Sequence, residues 1–469
     1  MSQMSPSPGL GTRSSALTPS VSSLQSPHDD LYILPATTSS PQSGSSRPSP
    51  VPMGHTLPPE LVADVVEHLD YQDVAGADRQ TIRAACRAAR AFKYPCQRLM
   101  YRTVLLNGHN LPSTNRHFVA FPHLARHVKE LHLQYSEGGD YAVLEGLLRR
   151  FINITVFTVS ANAPSTIWST LPAPFRSGVQ HLWRRGSFQS VNLHHFGDIS
   201  MELMGEVLGT SGQVGLFDVA VAQGQEGDSI PEAQAGPTDI VRFETNAPSL
   251  TSPILRLLYP RTHALRILIV NQLEISAEIE ENLSPLLGAV QLTLEHLSLA
   301  LSGRRHAPAR RTALLSLPAL PRLISLDLRF AFPDPRVCNA PESHPPPPLL
   351  LLLLLTLLPT APALRQLTLH AEIPVDYEYA THMPTSCATL VELDTLLAAY
   401  ILMCPETPST HEVHYVPHFV HDTLMGNQEG VDLIVYKAAL QEAMPRAMKL
   451  GIRVLECASC TGRIEEFSV

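Results

Sequence analysis

Lysine is nearly missing from this chain. Of 34 basic residues only Lys93, Lys129, Lys437 and Lys449 are lysines, a bias that general Arg, Ala, Pro and Leu usage explains. Charge of either sign is scarce, at 16% of the 469 positions, against roughly 25% in ordinary soluble domains. The formal net charge of -9 leaves no basic surplus. A general nucleic-acid binder needs such a surplus, because its affinity comes from displacing counterions from phosphates. No nucleic-acid partner is expected.

Long apolar runs are also lacking. A bilayer-spanning helix takes about 20 apolar residues, and the run LLLLLLLTLL at 349–358 falls well short. It reads instead as a buried helix behind the stiff PPPP at 345–348. The chain start shows no charged segment followed by an apolar core, so no secretory signal is expected. The seven cysteines, at 86, 96, 338, 387, 404, 457 and 460, are odd in number and scattered. Reduced thiols are the simpler account. A soluble intracellular protein, in cytoplasm or nucleus or both and without a membrane partner, is the expectation.

Signatures of bond chemistry are wanting too. There is no Gly-rich phosphate loop, no Gly-x-Ser-x-Gly elbow and no readable pair of catalytic carboxylates. HEVHYVPHFVH brings His411, His414, His418 and His421 close in sequence. On an unbroken helix they would share a face and could gather a metal. Pro417 interrupts such a helix, and Val413, Tyr415 and Val416 prefer a strand. CASC, at Cys457 and Cys460, has redox or zinc spacing but no second pair. The basic patch GRRHAPARR at 303–311 reads equally as a localisation signal or as a solvated loop. No enzyme, cofactor or metal site is expected.

What the sequence does hold begins with a contrast. Residues 1–54 are rich in Ser, Pro, Thr and Gly and offer little to bury, so they are expected to be disordered. Ser5, Ser7, Ser26, Ser40 and Ser49 each precede proline, and DDLYILP at 29–35 is the one apolar island. Then comes LPPELVADVVEHLD, residues 57–70. Pro58 and Pro59 suit a first helical turn, Glu60 sits near the positive end of the helix dipole, and Leu57, Leu61, Val65 and Leu69 recur at i+4. A second helical pattern follows in RQTIRAACRAARAF, and a third in CQRLMYRTVLL at 96–106.

These residues resemble an F-box. The resemblance rests on the opening Leu-Pro-x-Glu-Leu, on Val65 and Leu69 before Asp70, on Ile82 with Cys86-Arg87, and on the Leu99-x-Tyr101 pair. It departs where a Trp usually follows the Cys-Arg pair, since Ala88, Ala89 and Arg90 stand there. The resemblance implies a three-helix module over 55–106 that docks on a Skp-type adaptor and through it on a cullin-based ubiquitin ligase. By that likeness Leu57, Pro58, Glu60, Leu61, Val65, Leu69, Ile82 and Cys86 form or support the adaptor-facing patch. A helical cap with no adaptor is the alternative.

Beyond residue 107 apolar residues recur at i, i+3 and i+5. The copies are VKELHL, ITVFTV, FQSVNL, LFDVAV, IVRFET, LRILIV, LEHLSL, LISLDL, LRQLTL and IRVLEC, with a poorer one near Val413. From Leu131 to Leu326 the middle residues step by 24 to 34 residues, and later by 41 to 46. That period matches leucine-rich repeats, in which a strand and its return stack on their neighbours to share a core. The expected fold is therefore α/β: a short three-helix module, then an irregular leucine-rich-repeat-like solenoid over 107–469 with a curved parallel sheet. An insertion is expected at 222–239. Residues between the apolar positions point outward, which places Glu130, His132, Asn192, Asp218, Arg242, Glu244, His296, Asp327, Gln366 and Thr368 on a face for a protein target. The sequence leads to a substrate-recognition subunit, or to an interaction scaffold with no ubiquitin role.

Overall fold

The computed structural model describes residues 60–62, 65–66, 77–88, 90–163, 166–186, 188–222, 239–246, 249–273, 282–301, 317–331, 349–375, 388–403, 412–421 and 433–455. Leu57, Pro58, Leu69, the tail over 1–54 and the basic patch at 303–311 lie outside them, as do His411, Cys457, Cys460 and most of the expected insertion.

The chain is a mixed α/β protein built around one large parallel sheet. Residues 60–62 and 65–66 are helical, followed by α1 (Ala77–Ala88) and α2 (Arg90–Met100). Val66, Ile82 and Cys96 bury together, with Ala85, Cys86, Phe92, Leu99 and Met100 packed around them, as a small core of their own. The segment 96–106, read as a third helix, is divided. Its first half completes α2, and β1 (Thr103–Asn107) already belongs to the sheet. β-branched Thr103 and Val104 with alternating burial suit a pleated edge better than a helix.

The chain then alternates between strands and returns. In order they are α3 (Leu111–Ala120), β2 (Glu130–Tyr135), α4 (Leu144–Leu148), β3 (Val156–Ala161), β4 (Thr166–Ile167), α5 (Ala173–Arg185), β5 (Phe188–His194) and β6 (Phe196–Gly197). Next come α6 (Met201–Gly209), β7 (Ser211–Phe217), β8 (Arg242–Asn246), α7 (Ser252–Leu258), β9 (Ile267–Leu273), α8 (Ser284–Val290), β10 (His296–Leu301) and β11 (Ser325–Ala331). The series closes with α9 (Leu349–Thr360), β12 (Gln366–Val375), α10 (Ala388–Met403), β13 (Glu412–His421), α11 (Leu433–Ala443), α12 (Pro445–Lys449) and β14 (Arg453–Val454).

Twelve of these strands form the main sheet in chain order, β1-β2-β3-β5-β7-β8-β9-β10-β11-β12-β13-β14, every ladder parallel. β4 and β6 make a small second ladder. One apolar row runs across the sheet from Val104 through Leu131, Phe157, Val191, Val214, Phe243, Leu268, Leu297, Leu326 and Leu367 to Val413. From Leu131 onward these side chains are buried and join a single core that also takes in the helices. Full burial of each is worth roughly 1.5–3 kcal/mol.

Register corrects two repeat frames. LFDVAV places Val219 in the apolar row, but Val214 pairs with Val191 and with Phe243, so the strand is SGQVGLF. The steps there become 23, from Val191 to Val214, and 29, from Val214 to Phe243. Leu216 serves both frames, and glycines at 212 and 215 hide the true one. Asp218 consequently leaves the expected sheet face. It follows β7 with φ 53, in the left-handed region that ends the strand. At the far edge Tyr415 pairs with Val454, so IRVLEC is displaced and Leu455 is left 39% exposed. The leucine run is a helix as expected, α9, although Leu355 in it is 54% exposed. Among the described residues no helix is long and apolar enough to cross a membrane.

Candidate functional site

Two surfaces carry the residues singled out by sequence. The first is the helical start. Val62 and Val66 are 2% and 0% exposed, whereas Leu61 and Val65 are 49% and 52% exposed. The two bare residues are one turn apart and share a helix face. Glu60 beside them is exposed and Cys86 is half-buried. Ile82 lies in the small core with Val66 and Cys96, so it supports that helix from behind. The Cys86 thiol points to the Lys93 carbonyl at 3.9 Å. Exposed Tyr94 sets its ring edge-on to His127, 5.2 Å between centroids, which links α2 to the first return of the sheet region.

The second surface is the sheet face turned away from the helices. Parallel register lines its side chains into rows. One row runs Thr103, Glu130, Val156, Ser190, Gln213, Arg242, Ile267, His296, Ser325, Gln366 and Glu412, and the next Leu105, His132, Thr158, Asn192, Gly215, Glu244, Ile269, Ser298, Asp327, Thr368 and His414. The expected face residues thus fall together, Asp218 excepted. Local bonds hold them: Arg102 Nε and the Thr103 hydroxyl both donate to Glu130, and Asn192 Nδ2 donates to Thr158 at 3.4 Å. Arg242 reaches Glu244 at 3.4 Å. Thr368 is buried at 7%. Its hydroxyl bonds the Asp327 carboxyl, which burial pushes above the usual carboxylate range against that bond and against His296 and His414.

Histidines gather beyond these rows: His194 ends β5, and His370 and His418 lie mid-strand in β12 and β13. His370 Nδ1 and His418 Nε2 lie 2.8 Å apart with their rings stacked. Burial first, then His418 and Arg329, pushes His370 down to about 4, and burial and Arg329 lower His418. Burial and His195 likewise push His194 down to about 4, with Asp218 opposing, and its ring stacks on Phe217 at 4.5 Å. His195, at φ 68, places Nδ1 3.0 Å from the Asp218 carboxylate. Asn246 donates to that carboxylate at 2.6 Å and accepts from the Ser249 hydroxyl and the Asp218 N–H.

Of the four histidines near residue 415, His414 faces Glu412 at 3.5 Å and His418 faces His370, so these two do not converge. Among the described residues no group of three potential ligands could hold a metal. β13 runs through Pro417, which β14 does not reach: β14 pairs only with His414 and Tyr415, so the missing N–H breaks no bond on that side. The sequence reading passed over His194, His195, Asn246, Arg329 and His370. His194 and His370 directly follow the last apolar position of their repeats, which is the signal that finds them.

No protein-family model matches this chain, and no match is found among curated proteins.

Proposed function

We propose that this protein is a substrate-recognition subunit of a cullin-type ubiquitin ligase. Residues 55–106 act as an F-box-like module, and the region from 107 onward acts as a leucine-rich-repeat-like solenoid. The module grips a Skp-type adaptor and the outward rows of the sheet select a protein target. The subunit itself makes and breaks no bonds; it raises the local concentration of target near a ubiquitin-charged enzyme. The observation that carries the reading is the split between two stripes of one short helix: Val62 and Val66 are buried, Val66 in a small core with Ile82 and Cys96, while Leu61 and Val65, about 100° round the helix, stay bare. A monomer gains nothing from exposing that pair, whereas a partner helix bundle would bury it.

The test is co-purification. A Skp-type adaptor should come down with wild type and be lost with Leu61→Asp, Val65→Asp. The double variant should keep its melting temperature, because neither side chain is in the core. Failure of the wild type to retain adaptor would sink the proposal. The second reading, a repeat scaffold with no ubiquitin role, draws on Ala88, Ala89 and Arg90, which stand where the family's large apolar anchor would be.

A further inference from the structure

The helix layer behind the sheet carries an apolar groove of about 1080 Å³ between α9 and α10. From α9 come Leu351, Leu354, Leu355 and Leu358, the stripe of one helical face. α10 supplies Val391, Thr395, Ala399 and Met403 at i+4 spacing along the opposite wall. Met403 is 74% exposed, Val391 55% and Leu355 54%, whereas Leu351, Leu354 and Leu358 beneath them are buried. Each helix returns the chain from the end of one parallel strand to the start of the next. The two therefore run in the same direction, and the wall from Val391 to Met403 is about 18 Å long at ~1.5 Å per residue.

Among the residues that line this groove charge lies at its ends, although Arg446 Nη1, outside the lining, donates to the Thr395 hydroxyl at 3.5 Å. Arg365, one residue before β12, lines the end where α9 and α10 arrive. Glu392, near the start of α10, lines the other. Among the described residues neither is in an ion pair. We propose that the groove is a binding site for one long-chain carboxylate, with its alkyl chain between α9 and α10 and its head group on Arg365. Three features fix this occupant. The volume is on the scale of small-molecule sites, ~300–1,000 Å³. The walls are aliphatic over the reach of an alkyl chain, and each methylene taken from water favours binding roughly fourfold. The cation at one end attracts a carboxylate and Glu392 at the other repels it, so the ligand has one orientation. This site lies apart from the bare helix and from the outward rows, and stands or falls separately from the recognition reading.

Calorimetric titration of the full-length protein with myristate, and with myristyl alcohol as its uncharged match, tests it. Wild type should bind one myristate saturably. Arg365→Gln should weaken myristate about tenfold and leave the alcohol unchanged, because only the head group loses its partner. Ala399→Trp should abolish both; Ala399 is exposed, so the added ring fills the groove without entering the core. Val391→Trp is the second filling variant, and circular dichroism checks that each is folded. Leu61→Asp should bind myristate like wild type. Absence of saturable binding in wild type overturns the proposal, as does undiminished binding in folded Ala399→Trp. A concentration-dependent dimer that Ala399→Trp abolishes, with no myristate bound, overturns it too and makes the groove a contact between copies.

Discussion

Gly108 and Gly139 meet backbone to backbone where the turns after β1 and β2 touch. A Cβ built on Gly108 would lie 2.3 Å from the Gly139 Cα, and one on Gly139 would lie 2.6 Å from the Gly108 Cα. No side chain can swing away to relieve that contact. The same corner is held by Tyr141, whose hydroxyl accepts from the Ser136 N–H at 2.8 Å and donates to the Ser136 carbonyl at 3.1 Å. Gly108→Ala should therefore cost on the order of 1–3 kcal/mol, the range for overpacking. Urea denaturation would read it as a lower midpoint at unchanged slope. Gly146 in α4 is the control. A Cβ there meets nothing within 4 Å, so Gly146→Ala should stabilise by about 0.5–1 kcal/mol through helix propensity. Equal loss in both variants would show that the close approach is not the cause.

At the scale of the element, the first strand shows how an open sheet edge is closed. β1 pairs with β2 on one side, and its outer side is met by an amide side chain. Asn110 Oδ1 accepts the Asn107 N–H at 2.9 Å and Nδ2 donates to the Leu105 carbonyl at 3.0 Å, as a further strand would. Asn107 in turn accepts from the N–H groups of His109 and Asn110. Unpaired edges invite other chains. Asn110→Ala should lower stability by about 1–2 kcal/mol, at ~1 kcal/mol for each hydrogen bond, and increase self-association by light scattering. An unchanged monomer at unchanged stability would show that the side chain does not close the edge.

Strands were legible in the sequence wherever the apolar spacing was undisturbed. Leu131, Phe157, Leu268, Leu297 and Leu326 announce their places because each strand must bury one face against a helix. Elsewhere the signal failed for physical reasons. Leu216 fits two frames and glycine at 215 is silent about burial. Val104 is preceded by a true helix and inherits its reading. The bare side of the first helix could be read from i+4 spacing, but which of its stripes faced inward could not: that depends on Ile82 and Cys96, which only folding brings behind Val66.

For the whole molecule, titration of the histidines sets the response to acid. Burial lowers His117, His127, His132, His194, His370 and His418 below the ordinary imidazole value. As pH falls below about 6.5 the unfolded chain takes up protons that the folded chain refuses. Stability is therefore complete near neutral pH and should drain away between about 6.5 and about 4, where His194 and His370 titrate. Asp327, raised by burial, acts in the opposite sense but among the described residues is one carboxyl against six imidazoles. Urea midpoints at pH 7.5 and pH 5 should differ, and less so for His194→Asn, His370→Asn. An identical pH slope in that variant would refute the assignment.

The order of the strands also bears on how such a chain can change over generations. Within the main sheet each strand pairs only with the main-sheet strands before and after it in the chain, β4 and β6 lying in a ladder of their own. Duplicating or deleting one strand with its return would splice the stack without rethreading it, and every other adjacency would survive. Selection can thus lengthen, shorten or edit the outward rows one unit at a time, while the helical start is inherited untouched.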